Sequence, residues 1–377
     1  MAGATAEAKV LKLDIERAVE GDIRAQTNLA IRYEEGNGVV HNQAEALRLY
    51  TQAADQGNAV AQHRLGNCYM TGNVTAHDEK KAARLFRKAA KQGLASGQYS
   101  LAQCFEHGAG VVEDAEEAVK LYRQAAKQNL ADAQYVLGRC YAEGRGVVQD
   151  EEEAARLYTQ AAEQGLADAQ LLLGICFLEG RGVVQDDEKA AKLYRKAAAA
   201  EQDYLYGQHA LGNCYRMGAG VEQDLEMALR LYTQAVEQGL ADGQFCVGHG
   251  FKLGAGVAQD EEEAVKLYTQ AAEQGFADAQ LALGNCYQYG RGCAKNEEEA
   301  VKLYTQAAEQ GLASAQEAFG TSCMLGAGVA HDLVDAARYL RLAADQGDAN
   351  SQCLLGYLCE HGQGTKRNLG EAVRMYR

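Results

Sequence analysis

The chain of 377 residues contains no proline and no tryptophan. Proline averages roughly 5% of residues, so its absence is informative: no pyrrolidine ring interrupts a helix, and every turn falls to Gly, Asn or Asp. Positive charge is also in deficit, with 37 Lys and Arg against 52 Asp and Glu and a net charge of -15. That balance argues against a nucleic-acid backbone or an anionic membrane surface as the main partner. Basic proteins or peptides stay open as partners, and the charge also keeps a long molecule soluble. No apolar run approaches the ~18 residues of a membrane-spanning helix. The N-terminal stretch has neither the apolar core of a signal peptide nor the Arg- and Ser-rich character of a transit peptide. Membrane insertion is not expected, and the expected location is cytoplasmic.

What is present is a beat. Gln26, Gln62, Gln98, Gln134 and Gln170 are spaced by 36 residues; the interval slips by two to Gln208 and resumes at Gln244, Gln280, Gln316 and Gln352. A fixed period of this size marks a stack of supersecondary units, none of which buries its apolar face alone. In residues 132–143, Ala133, Val136, Leu137, Cys140 and Tyr141 fall at helical spacing. In the following segment Ala154, Leu157, Tyr158, Ala161 and Ala162 do the same.

The first helix of each unit stops at Gly-x-Gly, whose first glycine (Gly36, Gly144 and Gly290 among them) recurs in all ten repeats and whose second is replaced only by Val74. A left-handed residue at a helix C-terminus explains it. The second helix starts at an Asp or Asn, such as Asp150, Asp260 or Asn296, which caps the first turn. Glu153, Glu263 and Glu299 follow at capping-box spacing. The acidic runs they close are therefore helix-start chemistry. Mid-helix glycines Gly138, Gly174, Gly212 and Gly284 indicate close helix approach, because Gly there costs about 1 kcal/mol relative to Ala.

The expected fold is all-α: an α/α superhelical solenoid of about ten 36-residue helix-turn-helix repeats. The expected organisation is one array over 1–377, with a capping helix at 6–20, repeats one to five at 22–198, an irregular insertion at 199–207 and repeats six to ten at 208–377. A longer helix is expected around Ala197–Gln202. The last repeat is incomplete at Arg377, so either the terminus is short or the chain is part of a longer protein. The first alternative leaves a last helix that docks a neighbour in an assembly.

Six of the eleven cysteines (Cys68, Cys104, Cys140, Cys176, Cys214 and Cys286) share one repeat position. Equivalent positions in stacked helices lie roughly 10 Å apart, whereas a disulfide needs Cα atoms within about 7 Å. These six are therefore expected as small buried apolar residues in a reducing compartment. Cys323, Cys353, Cys359 and His361 lie close along the sequence but without metal-ligand spacing. The Gly-x-Gly turns follow no strand, so they are not dinucleotide loops. No cofactor, metal or catalytic residue is assigned.

The signature Ala-x-x-x-Leu-Gly-x-x-Tyr-x-x-Gly-x-Gly-Val-x-x-Asp-x-x-x-Ala-x-x-Leu-Tyr-x-x-Ala-Ala-x-x-Gly resembles the Sel-1-like repeat family, relatives of the tetratricopeptide repeat, over nearly the whole chain. The resemblance implies a right-handed superhelix of helix pairs acting as a non-catalytic scaffold or adaptor. Val148, Val184 and Ala258 stand where the family often has Pro. One secreted branch pairs cysteines within each repeat and is associated with β-lactam binding; the single cysteine column here does not carry that activity over.

Three columns of the first helix vary freely on one helical stripe. From them Tyr99, Tyr135, Arg139, His209, Arg216, Phe245, His249 and Lys252 are the candidate partner-binding residues, in the groove that first helices line in related superhelices. The alternative is that the first column packs between neighbouring repeats. The leading functional expectation is capture of a peptide or protein in that groove. A structural subunit of a large assembly and a hydrolase with a groove site are the alternatives.

Overall fold

A computed structural model describes residues 2–200, 204–236 and 239–377, with side chains described outside 2–8 and 200. The described residues form 21 α-helices and no strand, in the helix-pair order the periodicity predicts. Two compact units divide the chain, 1–186 and 187–377. The first opens with the helix Ala2–Val19, continues through four helix pairs and ends with the helix Ala167–Glu179. The second opens with Asp187–Ala200 and continues through five pairs to Leu369–Met375. Most helices are 13 residues long, whereas Asp187–Ala200 has 14. The expected extension to Gln202 falls partly outside the described residues.

The helix ends follow the residues assigned to them. Gly36 through Gly362, ten in all, cap the first helices in the left-handed conformation, with φ between 65° and 73°. The oxygen of Asp150, Asp260 or Asn296 accepts from the backbone N–H three residues on, at 3.0–3.1 Å. The other half of the expected capping box does not form. The N–H of Asp150 already donates to the Tyr141 carbonyl at 3.0 Å, and that of Asp260 to Phe251 at 2.9 Å. Glu153 and Glu263 are thereby released and pair with Arg156 and Lys266 at 2.6 and 2.7 Å.

Two glycine positions set the packing. At Gly138 a Cβ would lie 2.7 Å from the Tyr158 ring, so the close approach is between helix backbone and a framework tyrosine of the same repeat. The tyrosines thus cover their own repeat's glycine while also packing toward the next repeat, as Tyr122 does with Leu137 and Cys140. The second turn glycine makes the contact between repeats: at Gly292, φ +67°, a Cβ would lie 2.0 Å from the Glu261 carbonyl of the preceding repeat's second helix.

The glutamine beat is a hydrogen-bond relay. Gln280 is 5% exposed. Its amide donates to the Ala272 carbonyl of the preceding repeat at 3.4 Å, and its own carbonyl accepts from Gln310 at 2.8 Å. The arrangement recurs at Gln26, Gln62 and Gln316. A buried amide satisfied on both sides adds register to the apolar stacking.

All eleven cysteines are free. Of the shared column, Cys104, Cys140, Cys176, Cys214 and Cys286 are buried; Cys68 is only partly so. Among the described residues no helix is long and apolar enough to cross a membrane.

Candidate functional site

The first-column side chains are partly exposed and lean on the aromatic residue of their own repeat's second helix. Ring centroids are 5.6 Å apart for Tyr99–Tyr122, 6.4 Å for Tyr135–Tyr158, 5.4 Å for His209–Tyr232 and 5.8 Å for Phe245–Tyr268. Each first-column ring is partly buried, and Phe245 also meets His249 and Phe276 at 6.0 and 5.5 Å. Burial pushes the Tyr99 phenol up to about 12, with the Asp132 carboxylate adding to it. Burial also raises Tyr135, followed by Asp168.

The second and third columns are less free than their variability implies, because several satisfy the buried tyrosine hydroxyl. Tyr50 and Tyr122 donate to Glu34 and Glu106 at 2.5 Å. Tyr232 and Tyr304 donate to Asn213 and Asn285 at 2.7 and 2.9 Å. The Nε of Arg216 donates to the Tyr232 oxygen at 3.3 Å. Arg139 pairs with Glu143 at 3.4 Å.

Tyr99, Tyr135 and Arg139 lie in the first compact unit. The other five candidates lie in the second, on the first helices Leu205–Met217 and Ala241–Leu253. A cavity of about 500 Å³ opens between the helices Leu225–Val236 and Ala241–Leu253, with Arg216 at its edge, and is lined by Leu229, Tyr232, Phe245, Cys246 and His249 among others. Its wall is mainly apolar, with a cation at the rim. Burial, then the neighbouring Lys252 and Arg216 charges, lowers the His249 pKa. Among the described residues Arg216 and Lys252 form no ion pair with a carboxylate.

Beside the cavity lies a cluster that sequence reading reached only through His209. Its Nε2 is 3.3 Å from Asp242 Oδ2 and 3.6 Å from Cys246 Sγ. His209 is thus brought to two residues of the next repeat, 33 and 37 positions on. His63 and Ser100 repeat the second interval at 3.1 Å. That interval was the available signal: Cys246 lies outside the cysteine column, one repeat plus one residue beyond a first-column histidine. Burial pushes the Cys246 thiol up to about 12, and burial lowers His209 against the opposing pull of Asp242. Nucleophilic catalysis needs the thiol and the carboxylate on opposite ring nitrogens of the histidine. Here both meet Nε2, which is not the arrangement of a Cys-His-Asp relay.

The fold and its repeat chemistry define a helical-repeat solenoid protein. The Sel1 repeat model matches ten segments, 23–58, 59–94, 95–130, 131–166, 167–201, 205–240, 241–276, 277–312, 313–348 and 349–377, and the chain belongs to the Sel1 repeat family. Among solved structures it is similar to a protective antigen of uropathogenic Escherichia coli strains displaying an SLR fold. The identity is 33%, covering 97% of this chain and 85% of that one, with a TM-score of 0.69. A Sel1 repeat protein from Oxalobacter formigenes is 31% identical over 83% of this chain and 90% of its own, with a TM-score of 0.64. No curated protein matches the sequence.

Proposed function

We propose that the protein is a non-catalytic, cytoplasmic protein-binding scaffold whose first-helix face captures a segment of a partner protein. The observation that carries this reading is the cavity at Arg216, Phe245 and His249, where an apolar wall meets the Arg216 cation; Lys252 lies on the same helix as Phe245 and His249, outside the cavity lining. Apolar anchors in a pocket with charge at the rim suit peptide capture. The docked segment therefore carries an aromatic or aliphatic anchor next to a carboxylate. Tyr99, Tyr135 and Arg139 offer aromatic and cationic side chains of the same kind within the first unit. His209 supports the cavity wall from beside Tyr232. Support also comes from the recurrent residues, whose polar groups are used by the fold.

Peptide display on the purified chain tests this. Selection should enrich segments with an apolar anchor and a neighbouring Asp or Glu, and reversing Arg139, Arg216 and Lys252 together to Glu should abolish their capture. Retention of every selected peptide by that triple variant overturns the assignment of the face. Turnover of generic ester, amide or phosphate substrates, abolished by one substitution on this face, overturns the non-catalytic reading.

A further inference from the structure

The His209, Asp242 and Cys246 side chains offer a nitrogen, an oxygen and a sulfur, all within 4.8 Å of one another. They come from two helices of adjacent repeats, Leu205–Met217 and Ala241–Leu253, held by the framework packing of Tyr232 against His209. The measured edges are 3.3 Å for nitrogen to oxygen and 3.6 Å for nitrogen to sulfur. A tetrahedral zinc ion with ordinary bond lengths to His, Asp and Cys requires edges of about 3.4 and about 3.6 Å. Two donors converging on one ring nitrogen fail as a proton relay but form a face of a coordination tetrahedron. The side-chain burial also suits a site: His209 is 15% exposed, whereas Asp242, at 43%, leaves an entry path.

We propose that His209 Nε2, Asp242 Oδ2 and Cys246 Sγ form a binding site for one divalent transition-metal ion of the zinc class. Soft sulfur with imidazole selects Zn²⁺ or Co²⁺ over Mg²⁺ and Ca²⁺. With the thiol deprotonated, the set carries two negative charges and neutralises the ion. Three protein ligands leave a fourth position for water or an incoming group, and Cys246 also lines the cavity. The charged groups facing the thiol are Asp242 and Arg216. A cysteine thiol is ordinarily protonated near neutral pH, so forming the metal–sulfur bond expels the Cys246 proton to solvent. This inference is independent of peptide capture: either stands if the other fails.

The full chain, freed of metal with chelator, is titrated with Co²⁺ and separately with Zn²⁺ against a chromophoric competitor. One ion per chain is expected, with a thiolate-to-cobalt charge-transfer band, strong visible bands of four-coordinate cobalt, and about one proton released per ion at neutral pH. Cys246→Ser should erase the charge-transfer band. His209→Gln and Asp242→Asn should keep the band while weakening binding by about tenfold or more. Absence of saturable binding in wild-type protein of native helicity overturns the site. A charge-transfer band that survives Cys246→Ser comes from another thiol and overturns it equally. If Cys246→Ser fails to fold, unchanged affinity in Asp242→Asn does the same, because that carboxylate is partly exposed and its amide is nearly the same size.

Discussion

Gln280 and Gln170 occupy the same repeat position and differ in one hydrogen bond. Both amides donate to the preceding repeat, at 3.4 and 3.2 Å. The Gln280 carbonyl accepts from Gln310, whereas the buried Gln170 Oε1 has no partner among the described residues. In the sequence, the residue thirty positions after Gln170 is Ala200. Replacing Gln280 with Met keeps the shape and removes two bonds, at a cost of about 1–3 kcal/mol. The same change at Gln170 should cost less, and urea midpoints of the two variants read the difference. At His63 burial, aided by Arg64, lowers the imidazole pKa to about 4. The unfolded histidine, at about 6.5, then binds the proton more readily than the folded one. The contribution is absent above the unfolded pKa and becomes a growing penalty as pH falls toward 4. His63→Gln should therefore lose less stability than wild type between pH 7 and 4 in parallel thermal melts. The glutamine beat was plain in the sequence; its relay partners were not, because they lie one helix away.

At the scale of the helix, caps and first-turn acids divide their work. Asp260 accepts from the Glu263 N–H at 3.0 Å. Glu263 spends its own carboxylate on Lys266, an exposed pair three residues on. Asp260→Ala should cost about 1 kcal/mol, whereas Glu263→Ala should cost no more than about 0.5 kcal/mol. Denaturant titration separates these, and equal losses would mean that the reciprocal box operates in solution. Sequence spacing alone suggested the full box because it registers which side chain can reach. It does not register that the capping residue's N–H is already taken by a carbonyl nine residues back. The same holds for Tyr158: its helical face was legible, but that its ring covers Gly138 of its own repeat was decided by packing.

Within each compact unit, helices pack chiefly on those just before and after them in sequence. Damage should therefore stay local. Ala at Gly292 would combine a positive φ with a Cβ 2.0 Å from the Glu261 carbonyl, costing roughly 3 kcal/mol. Native-state hydrogen exchange should show lost protection across residues 261–312 and unchanged protection in residues 23–130. Uniform loss along the chain would contradict a stack of nearest-neighbour contacts. Of the candidate binding residues, the sequence stripe found Arg216, Phe245 and His249 in the cavity wall and His209 beside it, yet missed Asp242 and Cys246.

The sequence by itself determined the all-α class, the 36-residue repeat, the helix ends and the family, because these rest on interactions within a few residues and on a pattern repeated ten times. Only the tertiary structure decided which variable residues are spent on tyrosine hydroxyls, which cations remain unpaired, and that His209 meets a carboxylate and a thiol from the next repeat. Those outcomes depend on side chains on different helices, from 16 to 37 residues apart, whose distances no periodicity in one chain encodes.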